Sequence, residues 1–297
     1  MRHTREYSID IGDVELAVVE WEGDSDPILL LHATGFHSRC WTEVVNHLPG
    51  QRVLAVDLRY HGSSGASGEP DWAVMADDIC QLLEQLSLSQ VVGVGHSIGG
   101  HLLVRSAAVT PARFKQLVLV DPVIPSLEDY ARMEAFVSGI EAADHPVARR
   151  RNQWRDAQEM CEHLENRQPF RDWQSAVLRD YCDYALLPAD EDGYRALCCD
   201  PLNEAALYVN QRGNERVYEA LEKITTPVTL LRAKTGDPDI MNLSQSPTWP
   251  QLASKIHCCR DIYLPHLNHF IPMLEPGLVA RYILSAQRDH WQLEGSA

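Results

Sequence analysis

The residues most able to do chemistry are in Gly95-His96-Ser97-Ile98-Gly99, followed by Gly100. This run fits Gly-x-Ser-x-Gly, with the apolar stretch Val91 to Gly95 before it and a helical pattern from Ile98 to Thr110 after it. On a strand-to-helix turn this tight, the serine is held in a strained backbone conformation, and its hydroxyl projects from the carboxyl end of the sheet. The flanking glycines are needed because side chains there would strike neighbouring backbone. The helix N-terminus and the free N–H of Ile98 can then stabilise an oxyanion. A glycine-rich turn with an incidental serine is the plain alternative. A dinucleotide fingerprint fits worse, because Ile98 stands where its third glycine belongs.

A nucleophilic serine needs a base. His269, in Leu267-Asn268-His269-Phe270-Ile271-Pro272, follows the last strand pattern and precedes the last helix pattern. That places it at the same sheet edge as Ser97. His266 competes, but it follows Pro265 directly at the strand end. A third residue must orient the histidine and stabilise its charged form. Asp237, after the strand Val228 to Arg232, and Asp121, ending the strand Gln116 to Val120, both qualify by position; Asp239 is a third choice. Asp237 is preferred, because a loop aspartate after that strand can reach the histidine Nδ1. A second oxyanion donor is expected from His32-Ala33-Thr34-Gly35-Phe36, with the Thr34 N–H as partner to Ile98.

These groups need a scaffold. Tyr7 to Glu20 reads as two short strands around Gly12-Asp13. Continuous apolar runs at Pro27–Leu31, 52–57, 91–95, 116–121 and 228–232, with a weaker one at 261–264, read as strands buried on both faces. Helical patterns lie between several of them, at 41–48, 72–86, 98–110 and 278–287. The alternation predicts an α/β fold with a mostly parallel, doubly wound sheet. It breaks between about residues 125 and 224, a stretch that is acidic, helical and rich in aromatics. The expected organisation is therefore a core of 1–124 and 225–297 with a helical cap at 125–224.

Composition prunes the function classes. The chain has 297 residues, 45% hydrophobic and 23% charged, with 42 acidic and 26 basic residues and a net charge of −16. The charge argues against a nucleic-acid partner and against docking on anionic membranes. Eight cysteines are scattered without a Cys-x-x-Cys pair, as in a reducing compartment. The first ten residues lack a signal-peptide pattern, so a cytoplasmic protein is expected. His257-Cys258-Cys259 lacks metal-ligand spacing, and no metal is expected. Arg149-Arg150-Arg151 reads as a solvated face of the cap.

Taken together, the motifs resemble the α/β-hydrolase superfamily, in its capped, carboxylesterase-like and epoxide-hydrolase-like branch. The matching pieces are His32-Ala33-Thr34-Gly35-Phe36, Asp57-Leu-Arg-Tyr-His-Gly-Ser-Ser64, Gly95 to Gly100 and Asn268 to Pro272. Ala33 stands where the family usually has glycine, and Tyr60 replaces the first glycine of the Asp57 motif. The resemblance implies that the Asp57 loop is structural. It also allows the acid after either of two strands, which keeps both Asp121 and Asp237 open. A serine at the elbow excludes the aspartate-dependent epoxide hydrolases and dehalogenases.

The expectation is a serine hydrolase cleaving a small or medium carboxylic ester through an acyl-enzyme on Ser97, with no cofactor. A lactonase, a carbon–carbon bond hydrolase and a non-catalytic ligand receptor are the alternatives. Phe36, Trp154, Trp173 and Phe270 are the expected substrate-binding side chains; Met273 is a further neighbour of the pocket. The partner is a small ester-like molecule, and the oligomeric state is left open.

Overall fold

The computed structural model describes residues 3–210, 212–236 and 243–288. Eight strands form one sheet: β1 (Thr4–Asp10), β2 (Glu15–Trp21), β3 (Ile28–Leu31), β4 (Val53–Val56), β5 (Val91–His96), β6 (Phe114–Val120), β7 (Val228–Ala233) and β8 (Cys259–Leu264). Their order is β1-β2-β4-β3-β5-β6-β7-β8. β1 pairs antiparallel with β2, and β2 with β4; the rest of the sheet is parallel.

The interior strands are apolar on both faces because helices cover both. Along β3, Leu29 and Leu31 enter one hydrophobic cluster while Ile28 and Leu30 enter another. The same two-residue alternation divides β4 and β6. Helices α1 (Thr42–Asn46), α2 (Trp72–Gln85) and α3 (Ile98–Val109) follow the early strands. α2 begins where the Asp71 side chain accepts the N–H groups of Ala73 and Val74, satisfying donors the first turn leaves open.

Between β6 and β7 come α4 (Leu127–Val137), α5 (Ala157–Leu164), α6 (Ser175–Tyr184), α7 (Pro201–Val209) and α8 (Val217–Leu221). This stretch carries two isolated bridges, Trp154 with Arg195 and Leu186 with Leu197. Its end is built into the main core: Leu207, Val217, Leu221 and Ile224 join the cluster that holds α2 and α3. Spacing of four between Val217 and Leu221 gives α8 one apolar face for α3. α9 (Ile271–Leu274) and α10 (Pro276–Gln287) close the chain over the face shared with α1.

The strand order reverses beside β3, with β4 on one side and β5 on the other. Loops leaving the carboxyl ends of β3 and β5 diverge there and open a crevice. His32 to His37 leave β3 at that point, and Ser97 leaves β5.

Candidate active site

Ser97 has φ 58° and ψ −120°, in the left-handed half of conformational space that a residue with a Cβ enters only under constraint. The constraint is the close packing of β5 and α3. A Cβ on Gly95 would lie 2.4 Å from the carbonyl carbon of Gly99, and one on Gly99 would lie 2.4 Å from the Leu31 carbonyl oxygen. Both obstacles are backbone and cannot swing aside. Gly99→Ala is therefore expected to cost about 2–3 kcal/mol or more of stability and to displace the end of β3. Urea unfolding checks this, and an unchanged midpoint would refute the packing argument.

His269 presents Nε2 to the Ser97 Oγ at 3.0 Å and Nδ1 to Asp121 Oδ2 at 2.7 Å. The histidine is seated by its own backbone, whose N–H donates to the Ser244 carbonyl at 2.9 Å, and by its carbonyl, which accepts from His96 Nε2 at 2.9 Å. Asp121 has φ 46°, a conformation aspartate tolerates better than most residues. Its N–H donates to the Leu231 carbonyl at 2.7 Å, and its Oδ1 accepts from the Ala233 N–H and the Ser246 hydroxyl. The end of β6 is thus tied to β7, and one carboxylate oxygen is left for the histidine.

This geometry places the alternative acid, Asp121, against the histidine. Asp237 and Asp239 lie outside the described residues, while the Nδ1 of His269 is met by Asp121, the alternative. The reason lies in the sheet: β6 adjoins β5, so an aspartate at its end is one strand spacing from the serine. Ser246 had no signal in the sequence, since a hydroxyl in a polar loop carries no pattern.

The loop after β3 contains Thr34. Neither the Thr34 nor the Ile98 N–H is engaged in the turn and loop hydrogen bonds of the described residues. Phe36 N–H closes a turn onto the Ala33 carbonyl at 3.1 Å, with Gly35 at φ 78° in its third position. Ala33 has no positive φ, so a glycine is not required there. Tyr60 does take a glycine-like φ of 71°; its hydroxyl donates to the Ser67 carbonyl at 2.8 Å and holds it.

Aromatic rings roof the site. Phe36 packs at 5.4 Å from Trp173, 6.1 Å from Phe270 and 6.4 Å from His96, centroid to centroid. Phe270 lies 5.6 Å from His269. Ser97 and His269 retain only 6% and 7% exposure beneath them, and Asp121 none. Of the four expected pocket rings, Trp154 stands apart. Its ring contacts are Arg151 and His163, although it shares the apolar cluster of the other three.

Arg150 departs from the expected solvated face. It donates to Glu204 Oε2 and, at 2.8 Å, to the Tyr181 hydroxyl. The buried Glu204 carboxylate needs a cation more than Arg150 needs water. Glu204 Oε1 would lie 2.4 Å from a Cβ on Gly35, so this pair bears on the loop that carries Thr34. Arg151 pairs instead with Glu159. Among the described residues, no group of three or more His, Cys, Asp or Glu side chains could hold a metal ion. No described helix is long and apolar enough to cross a membrane.

Buried histidines surround the site. His61 Nε2 accepts the Gly35 N–H at 3.0 Å, and His32 Nε2 accepts the Leu58 N–H at 3.0 Å. A ring nitrogen that accepts carries no proton, so both rings are neutral. Burial holds the His61 pKa down to about 4 and pushes that of His32 well below its usual value. The unfolded chain protonates these rings near pH 6.5 and the folded chain does not. Their stabilisation is thus complete above about pH 6.5 and is lost as pH falls towards 4. For His61 alone the loss by pH 4 is on the order of 3 kcal/mol. Urea midpoints at pH 7 and pH 4.5 should differ clearly; equal midpoints would contradict neutral buried rings.

A serine on a strained strand-to-helix turn, a histidine on the last loop and an aspartate after β6, all at one edge of a parallel sheet, define an α/β hydrolase. A profile of the alpha/beta hydrolase family matches residues 28–282, and the chain belongs to that family. Over 135 residues it is 32% identical to an sn-1-specific diacylglycerol lipase of Danio rerio, covering 43% of this chain and 42% of the relative. Over 132 residues it is 30% identical to an esterase of Mycobacterium tuberculosis, covering 44% of each. The matches thus span less than half the length of these relatives. Among solved structures, E-2-(acetamidomethylene)succinate hydrolase superposes with a TM-score of 0.73 at 21% identity, covering 97% of this chain and 100% of that one. A thioesterase domain from the curacin pathway gives 0.73 at 19% identity, covering 95% and 99%. These two show the shared fold.

Proposed function

We propose that the protein is a serine hydrolase of carboxylic esters, with Ser97 as nucleophile, His269 as base and Asp121 as its orienting acid. The observation that carries this reading is the unbroken chain of contacts from Ser97 Oγ to His269 Nε2 and from His269 Nδ1 to Asp121 Oδ2. The Asp121 carboxylate fixes the proton on Nδ1, leaving the Nε2 lone pair to take the serine proton. Ser97 Oγ then attacks the ester carbonyl carbon, and the oxygen, now negative, is held by the N–H groups of Thr34 and Ile98. On collapse, the C–O bond to the alcohol breaks and His269 protonates the leaving oxygen. Water, deprotonated by His269, next attacks the acyl carbon; the bond from that carbon to Ser97 Oγ breaks, His269 returns the proton to Oγ, and the carboxylic acid leaves. The alcohol leaves with the proton first held by Ser97, and water replaces it, His269 carrying both.

The segment 125–224 acts as a cap in this reading. Trp173 comes from it and meets Phe36 and Phe270 of the core, so the acyl group would enter an aromatic wall of limited size. The relatives named as an esterase and a diacylglycerol lipase favour an ester over a lactone or a carbon–carbon bond. The test is a panel of p-nitrophenyl esters of graded chain length with lactones alongside, run on the wild type and on Trp173→Ala. Short and medium esters should be turned over fastest, and the smaller side chain should move the optimum towards longer acyl groups. Preference for lactones, or a length profile untouched by Trp173→Ala, would count against the reading.

A further inference from the structure

We propose that Ser246 is a positioning residue for the triad acid: its hydroxyl holds the Asp121 carboxylate so that Oδ2 meets His269. The run 244–248 that carries it keeps acid and base in register. The proposal rests on the serine mechanism above.

Acid and base come from different strands. Asp121 follows β6 and His269 follows β8, with β7 between them in the sheet. Strand pairing fixes the backbone of Asp121 but not its carboxylate, because the last torsion of an aspartate side chain is soft. Asp121 also has no exposure to water, so donors of the chain must both orient its carboxylate and support its charge. Oδ2 meets His269 Nδ1 at 2.7 Å, while Oδ1 receives the Ala233 N–H at 2.9 Å and the Ser246 hydroxyl at 2.6 Å. The Ala233 donor belongs to β7 and comes with the sheet. The Ser246 bond is shorter, as expected of a hydroxyl on an ionised carboxylate, and it comes from a loop that no strand pairing holds. Arg232, whose field reaches Asp121 from β7, commits Nε and Nη2 to Asp261 at 2.7 Å.

That loop is pinned on both sides of the acid. The Ser244 carbonyl accepts the His269 N–H at 2.9 Å. Thr248 Oγ1 donates to the Pro122 carbonyl at 2.7 Å, and the Trp249 N–H donates to the Ile124 carbonyl at 2.9 Å. The Thr248 N–H also donates to Ser246 Oγ at 3.3 Å, so the oxygen accepts from one side and its own hydrogen is left for Asp121. Over this short run the chain passes from the backbone of the base to the carboxylate of the acid and on to the residue after the acid. Ser246 is the member that touches the carboxylate. With its hydroxyl in place, the orientation of Oδ2 is set before the histidine takes the serine proton, and nothing has to reorganise as charge develops.

The experiment compares Ser246→Ala, Ser246→Cys and Ser246→Thr on p-nitrophenyl acetate, each with thermal unfolding. Wild type, Ser97→Ala, Asp121→Asn and the double variant Asp121→Asn/Ser246→Ala run beside them. The Ala variant should lose about 10- to 100-fold in kcat with KM little changed. Thr keeps the hydroxyl, and the half-buried site has room for its methyl, so it should come within about threefold of wild type. In the Asp121→Asn background, Ser246→Ala should cost less than about twofold, because no carboxylate is left to orient. Cys keeps the size but is a weak donor; it decides the matter if Ala does not fold, and should then lose at least about fivefold in kcat. The proposal is overturned if folded Ala or Cys matches wild type, if folded Thr is as impaired as Ala, or if the Asp121 and Ser246 losses simply multiply. It is overturned as well if neither Ala nor Cys folds, since the hydroxyl then serves folding. Turnover undiminished in Ser97→Ala or Asp121→Asn would bring down the serine mechanism and this proposal with it. A requirement for both, beside Ser246 variants that all match wild type, would bring down the proposal alone.

Discussion

Ser97→Ala is expected to lower ester turnover by roughly four to six orders of magnitude while the protein stays folded. The fold should hold because alanine keeps the Cβ that already sits at φ 58°, so the strain of the turn is unchanged. The lost contact is the single 3.0 Å bond to His269 Nε2, worth about 1 kcal/mol to stability. Chemistry loses far more, because among the described residues it is the Ser97 hydroxyl that meets a histidine Nε2 whose Nδ1 is held by a carboxylate. Steady-state assay with urea unfolding checks both halves. Turnover within a hundredfold of wild type would show that another group attacks the substrate.

Asp121→Asn should cost about 10²- to 10⁴-fold in turnover. Oδ1 keeps two donors, from Ala233 N–H and Ser246 Oγ, so the amide oxygen settles there and the amide NH₂ faces His269. Nδ1 must then accept, which moves the ring proton to Nε2 and removes the lone pair that takes the serine proton. Asp237→Asn is the paired control and should remain within about threefold of wild type. The reverse result, with Asp237 essential and Asp121 dispensable, would return the acid to the loop after β7.

Much of this was legible in the sequence. The apolar runs of β3, β4, β5 and β6 are strands because helices cover both faces. The glycines at 95 and 99 announced the strained turn through the collisions that any larger residue would suffer. The loop after β8 offered both His266 and His269, and it is His269 whose Nε2 lies 3.0 Å from Ser97 Oγ. The acid could not be placed, since Asp121-Pro122 ends one strand and Asp237-Pro238 follows another, and no sequence pattern says that the pairing of β5 with β6 brings Asp121 beside the histidine. Arg150 was misread because a run of three arginines looks like a solvated face until the buried partner Glu204, 54 positions later, is seen. The end of the helical segment was assigned outside the core, yet Val217, Leu221 and Ile224 pack within it, where chain order says little about which layer a short helix joins.

The central claim is a covalent acyl-enzyme on Ser97. Rapid mixing with p-nitrophenyl butyrate, acid quench within the first turnover and peptide mass spectrometry test it most directly. The account predicts one butyryl group per chain, on the peptide that carries Ser97, formed as fast as the burst of p-nitrophenol and absent from Ser97→Ala. A burst with no adduct at Ser97, or an adduct that persists in the alanine variant, would contradict it.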